Sequence, residues 1–267
     1  MTKCDKCQRC AIIYQRYSGM HLCREHFEED VHRKIREALR KTGLFGRDAR
    51  IALGLDGGQK SATLAFVLKN LFFHRRDIDL LAVIIDDGKK TCPTADQARH
   101  VAEQLGIPYI VKILPLLPDE TPCIVQSARK RELLFCTAKE NGAGILATGE
   151  TLDDEALEIF ISYLRGDVDA VLSEGSECEE QKVAWIKPLR RIPGKEVRLY
   201  AIGHGLGFAN AGEKTNAGEK LYADSLRSEA KRLLCGFDDR HPGTNYSLLR
   251  GQEKCPGARK GRQGQSL

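Results

Sequence analysis

Arg50-Ile51-Ala52-Leu53-Gly54-Leu55 runs straight into Asp56-Gly57-Gly58-Gln59-Lys60-Ser61, and an apolar helical pattern follows. The first six residues read as a buried strand. The paired glycines let a backbone come close to an anion, and the helix behind them offers unpaired N–H groups and the positive end of its dipole. The stretch is therefore built as a phosphate cradle on a strand–loop–helix unit. It is not a Walker loop, because the G-x-x-x-x-G-K-[ST] spacing is absent.

The surroundings of this unit predict the fold. Apolar strands at Ile51–Leu55, Leu80–Ile85, Tyr109–Leu114 and Ile145–Ala147 alternate with helices over roughly 61–70, 94–105, 125–141 and 153–164. Continuous apolar strands separated by helices imply a doubly wound α/β fold, with a mostly parallel sheet covered on both faces. Such sheets bind ligands at the carboxyl ends of their strands, where the loops after Leu55, Ile85 and Ala147 meet. A helix from Phe27 to Lys41 precedes the sheet, with Phe27, Val31, Ile35 and Leu39 at i+4 spacing and acids at its start. Further helices are expected over 195–202 and 222–237, after a polar, acidic surface loop over 173–182. A short near-duplicate, Asn210–Lys214 and Asn216–Lys220, reads as a local duplication in a loop. The expected organisation is a zinc finger and linker helix over 1–46, a nucleotide-binding domain over 47–205, a helical region over 206–254 and a disordered basic tail over 255–267.

The 267 residues suit one medium domain with appendages, and 42% hydrophobic with 30% charged residues describes a globular chain. No apolar run is long enough to span a bilayer, and the N-terminus lacks a signal-peptide core, so no membrane partner and a cytoplasmic location are expected. In that compartment ten cysteines point to metal or reactive thiols. The net charge of +5 is a weak indication of an anionic partner.

Cys4-x-x-Cys7 and Cys23-x-x-His26 lie fifteen residues apart, the ligand spacing of a zinc finger. All four positions are filled, so the expected zinc is structural. Cys10 extends the first group to CxxCxxC and leaves the ligand choice ambiguous. Thr148-Gly149-Glu150-Thr151-Leu152-Asp153-Asp154-Glu155-Ala156 follows the fourth strand. Asp153 there suits a helix cap, and Asp154 suits a metal or nucleotide.

The glycine loop resembles the SGGxDS loop of the PP-loop ATP pyrophosphatases, with Asp56 in place of Ser and Lys60 in place of Asp. Residues 148–156 resemble the TGHNLDDEA motif of the TtuA/TtcA-type tRNA thiolation branch, with Glu150 in place of His. Leu22–Phe27 resembles that branch's N-terminal finger. Tyr163–Asp167, Ile186–Leu189 and His241–Thr244 continue the match, which spans about residues 4–254. The fold it implies is adenine nucleotide alpha hydrolase-like. The resemblance implies ATP and magnesium as cofactors, with Gly54, Leu55, Asp56, Gly57, Gly58, Ser61, Asp86, Lys130, Gly149 and Asp154 binding nucleotide. Lys130 takes the place of a phosphate-binding lysine, although Arg129 and Arg131 beside it also suit a solvated basic face. Asp86-Asp87-Gly88 resembles a turn lining the adenosine site and reads equally well as an ordinary turn.

Cys123 to Arg131 matches the family's CxxCGxxKR segment, in which the CxxC and one later cysteine hold an iron–sulfur cluster. Gln126 stands at the second cysteine and none occurs between Cys178 and Cys235. One thiolate does not hold such a cluster, so it is expected to be absent. Cys123 is then the candidate sulfur-carrying thiol, and Cys136 suits the core. A lone Cys255 makes no metal site, so the family's C-terminal zinc ribbon is not expected in these residues.

Three functions follow from the resemblance. One is an enzyme that adenylates a tRNA uridine and then thiolates it, with Cys123, Lys130 and Asp154 catalytic. Another is a degenerate paralogue that binds nucleotide or tRNA without turnover, favoured by a carboxylate at Asp56 aimed at phosphate. The third, adenylation of another substrate, is opposed by the finger and the Lys187-Pro188-Leu189 segment. Expected partners are tRNA, bound through the finger, the basic helix at Arg129–Arg131 and Arg190-Arg191, with a sulfur-carrier protein and a second copy of the chain as further expectations.

Overall fold

The computed structural model describes residues 2–44, 48–86, 94–115, 123–167, 183–206 and 225–254. The expectations for Asp87 and Gly88, for the loops over 173–182 and 210–220 and for the tail over 255–267 lie outside these residues.

Five strands form a wholly parallel sheet: β3 (Ala49–Gly54), β4 (Ile78–Asp86), β5 (Tyr109–Ile113), β6 (Ile145–Ala147) and β7 (Ala184–Ile186), in the order β5-β4-β3-β6-β7. The helices between them are α2 (Gln59–Leu71), α3 (Thr94–Gln104), α4 (Cys123–Glu140) and α5 (Leu152–Arg165). The two-residue period of a strand sorts the side chains between two cores. Ile51, Leu53 and Leu55 of the β3 segment join Ala82, Ile84 and Ala147 under α2 and α3. Ala52, Val83 and Leu146 point the other way, onto Phe135 and Ala138 of α4. The chain steps from β3 to β4 to the edge at β5, then returns across the opposite face to β6. The order therefore reverses between β3 and β6, and a crevice opens at their carboxyl ends.

The predicted strands agree with these to within a few residues. The edge strand β7 was not foreseen.

N-terminal to the sheet, β1 (Ile13–Gln15) and β2 (Met20–Leu22) form an antiparallel hairpin that turns through Gly19 at φ 70°. Helix α1 (Arg24–Thr42) follows, burying Phe27, Val31, Ile35 and Leu39 as its spacing predicted, and ends on Gly43 in the left-handed region. At the other end α6 (Gly194–Gly203), α7 (Ser225–Arg240) and α8 (Thr244–Lys254) complete the described chain. Helices α7 and α8 pack on α5 through Ala156, Ile161, Ala230 and Leu234, and through Leu152, Ile159 and Leu249.

A buried polar knot ties the two ends together. Lys34 of α1 bridges Asp30 at 2.8 Å and Glu196 of α6 at 3.5 Å, and donates to the Tyr17 hydroxyl at 2.6 Å. Gln15 of the hairpin donates to Asp30 and Glu196. Burial pushes the Glu196 carboxyl above its ordinary range despite Lys34.

Candidate functional site

Leu55 closes β3 with an N–H bond to the Val83 carbonyl, and Gly57 turns the chain at φ 77°, a conformation that favours glycine. Gly58 then caps α2 in extended backbone. On the other side of the crevice, Gly149 lies so close to α2 that a Cβ there would meet the Lys60 carbonyl carbon and the Ser61 nitrogen at 3.0 Å. Gly54 is similarly tight, since a Cβ on it would stand 3.2 Å from Thr148 Cγ2 and 3.6 Å from Leu134 Cδ1 of α4. Lys130 is one turn N-terminal of Leu134, on the same helical face, which sets it above the same edge. Gly54, Leu55, Asp56, Gly57, Gly58, Ser61, Gly149 and Asp154 thus converge on the switch point. Asp86 ends β4, where Arg99 of α3 lies 3.7 Å from its carboxylate.

The two residues that depart from the family loop have definite partners. Asp56 folds back over the cradle, accepting from the Gly58 N–H at 2.9 Å and from the Ser61 hydroxyl in a short hydrogen bond. Two donors suited to a phosphate are thereby held by the chain's own carboxylate. Lys60 reaches across the crevice to both oxygens of Asp154, at 2.8 and 2.7 Å. It does not pair with Asp56.

Asp154 also accepts from the backbone N–H and hydroxyl of Thr151, at 2.8 and 2.7 Å, so that Thr151 and Asp154 cap α5 together. The capping role expected of Asp153 falls to this pair. Asp153 instead accepts from Gly194 N–H at 2.7 Å and Asn245 at 3.1 Å, joining α5 to α6 and α8. Burial would raise the Asp154 carboxyl, but Lys60 and the Thr151 donors outweigh it and hold it below the usual range. Three of these contacts fall on Oδ2 and one, from Lys60, on Oδ1, so Oδ2 is filled and a cation approaching Oδ1 would meet the Lys60 ammonium as a like charge.

A second layer was not anticipated. Trp185 of β7 donates to the Thr148 hydroxyl at 2.6 Å, with the Arg131 guanidinium 4.7 Å and the Lys187 ammonium 4.3 Å from its ring centre. Lys187 bonds Glu155 at 2.6 Å, with Arg190 Nε at 3.5 Å from the same residue. Arg191 is held by Glu253 of α8. Arg190 and Arg191, expected on the tRNA surface, are therefore internal ties between α5, the turn before α6 and α8. The only signal in the sequence was the Lys-Pro-Leu segment itself.

The N-terminal ligands come together as the spacing predicted. The ligand atoms of Cys4, Cys7, Cys23 and His26 lie within 4.8 Å of one another. Cys4 Sγ and Cys23 Sγ are 3.4 and 3.3 Å from His26 Nδ1, and Cys7 Sγ is 3.7 Å from Cys23 Sγ. Tetrahedral zinc sets edges of about 3.8 Å between sulfurs and about 3.5 Å from sulfur to nitrogen, so the set fits that ion. Cys10 is exposed and outside the group, which resolves the ambiguity. Cys23 and His26 sit at the cap and first turn of α1, so the ion would pin that helix to the hairpin.

No helix among the described residues is long and apolar enough to cross a membrane. The profile described as "2-thiouridine synthetase TtuA, N-terminal LIM domain" matches residues 3–28, and that of the PP-loop domain matches residues 27–234. The tRNA 2-thiolation protein NcsA of Haloferax volcanii is 30% identical over 94% of the chain and 86% of that protein. The tRNA-5-methyluridine(54) 2-sulfurtransferase of Pyrococcus horikoshii is 29% identical over 94% and 82%. The U34-tRNA thiolase NcsA from Methanococcus maripaludis superposes with a TM-score of 0.84 at 29% identity, covering 95% of this chain and 87% of that one. That structure is described with its 4Fe-4S cluster, which overturns the expectation that an iron–sulfur cluster is absent. The expectation rested on counting cysteines along the chain, whereas cluster ligands are gathered by the fold. Cys123 opens α4 at the ligand-binding edge, and Cys92 and Cys178 lie outside the described residues.

Proposed function

Because the chain belongs to the PP-loop tRNA 2-thiolation proteins of the TtuA and NcsA kind, we propose that it binds ATP at the β3–β6 switch point and adenylates a tRNA uridine for replacement of its carbonyl oxygen by sulfur. The observation that carries this reading is the close approach of Gly149 to the backbone of Lys60 and Ser61, which leaves no room for a Cβ and joins the glycine loop and the β6–α5 loop into one crevice. Gly57, Gly58 and Ser61 would bind phosphate there once Asp56 is displaced, and Lys130 would meet the transferring phosphoryl group. The uridine oxygen attacks the α-phosphorus and pyrophosphate leaves. The terminal sulfur of a persulfide on Cys123, the proposed carrier, then attacks the activated carbon and AMP leaves, and an external thiol cleaves the resulting S–S bond, forming a mixed disulfide with Cys123 and releasing the thiolated uridine. The zinc supplies no chemistry in this scheme. It holds the finger beside α1.

A second reading, binding of nucleotide and tRNA without turnover, is favoured by the bonds from Gly58 and Ser61 to Asp56. ATP–pyrophosphate exchange with bulk tRNA separates the two. Exchange that depends on tRNA and is lost in Gly58→Val supports the enzyme. Nucleotide binding with no exchange in the intact protein supports the binder.

A further inference from the structure

Lys60 stands at the N-terminal turn of α2, on a loop built for phosphate, and its ammonium grips both oxygens of a carboxylate from the facing loop. A divalent cation in a nucleotide site does the same work: it bridges acidic side chains to phosphate oxygens and neutralises both. Here the bridge is covalently part of the chain. The two bonds to Asp154 use two of the ammonium's three donors, and the third is available to an anion in the cradle. The Thr151 donors share Oδ2 with Lys60, and Oδ1 accepts from Lys60. A metal on this carboxylate would have to displace the Lys60 ammonium or stand beside it as a like charge.

We propose that Lys60 is a resident cation that takes the place of magnesium between Asp154 and the phosphates, so that the protein binds adenine nucleotide in a metal-independent way. The proposal rests on the nucleotide reading of this crevice given above. A point charge of one also replaces an ion of two, so binding should be weaker than a metal-bridged site allows. The arrangement needs Gly149, because only its bare backbone lets the two loops approach closely enough for Lys60 to reach.

The test is calorimetric titration of the full chain with α,β-methylene-ATP, in magnesium and again in EDTA. Affinity in the two buffers should agree within about threefold. Lys60→Asp should bind more than about tenfold more weakly in EDTA than in magnesium, because two carboxylates then need a metal between them. Lys60→Met should lose affinity in both buffers, and circular dichroism of both variants confirms folding. Binding by the intact protein that vanishes in EDTA and returns with magnesium would overturn the proposal and leave the nucleotide reading standing. No binding in either buffer, with or without Lys60, would remove both.

Discussion

Replacing Asp56 by Asn removes one negative charge from the phosphate cradle and leaves the oxygen that the Gly58 N–H and the Ser61 hydroxyl address. A hydrogen bond to an ionised group contributes about 1.5–3 kcal/mol, and an entering phosphate must take over both of these donors. The same phosphate meets the displaced carboxylate as a like charge. Asp56 is exposed, so water and salt screen these terms and the low end of the range applies. One such term, about 1.4 kcal/mol, corresponds to about tenfold tighter binding of α,β-methylene-ATP in Asp56→Asn. Asp56→Ser, which also clears the side chain from the loop, should gain at least as much. Calorimetry at low and high salt is the assay, and the gain should shrink as salt rises. Equal or weaker binding in both variants would refute the idea that Asp56 competes with phosphate, and would make it a co-adapted part of the cradle.

Cys4→Ser with Cys23→Ser should abolish bound zinc in metal analysis and loosen α1, because so short a finger has too little apolar surface to fold alone. Gly149→Ala places a Cβ 3.0 Å from α2 backbone that cannot yield, and should cost about 1–3 kcal/mol in urea unfolding together with nucleotide binding. Lys34→Met leaves Asp30 and Glu196 without their buried partner and should cost about 3–5 kcal/mol. The Asp154 carboxyl lies below its ordinary value, so its ion pair stabilises the fold above the unfolded carboxylate range and is lost as pH falls through the lowered value. Lys60→Met should therefore differ from the native protein by under about 1 kcal/mol near neutrality, the pair being half-exposed, and by nothing in strong acid. Reversing charge at Arg129 and Lys130 should weaken tRNA binding and flatten its fall with salt, measured by filter binding, more than reversing Arg259 and Lys260.

The sheet was legible because β3, β4, β5 and β6 are apolar runs of ordinary strand character, each followed by a periodic helix. The zinc ligands were legible because CxxC and CxxH place donors on one turn by local geometry alone. What escaped was long-range. Lys60 and Asp154 are 94 residues apart, and no local pattern pairs them. Arg191 and Glu253 are 62 apart, so two arginines that look like a basic surface are inward ties. Strands β1 and β2 mix polar and apolar residues over three positions each, too short for alternation to show. Asp153 and Asp154 were both visible as acids at a helix start. Which one capped it depended on Gly194 and Asn245, which arrive from elsewhere in the fold.

The knot around Lys34 bears on how the chain is made. The finger and α1 leave the ribosome first, yet Glu196 is synthesised 162 residues after Lys34. Until α6 arrives, Lys34 and Asp30 face water on a helix that cannot bury its inner stripe. The contact between α1 and α6 is therefore expected to form late in folding. Amide protons around Gln15 and Tyr17 should accordingly exchange at the same slow rate as those of α6, and Lys34→Met should release both sets together.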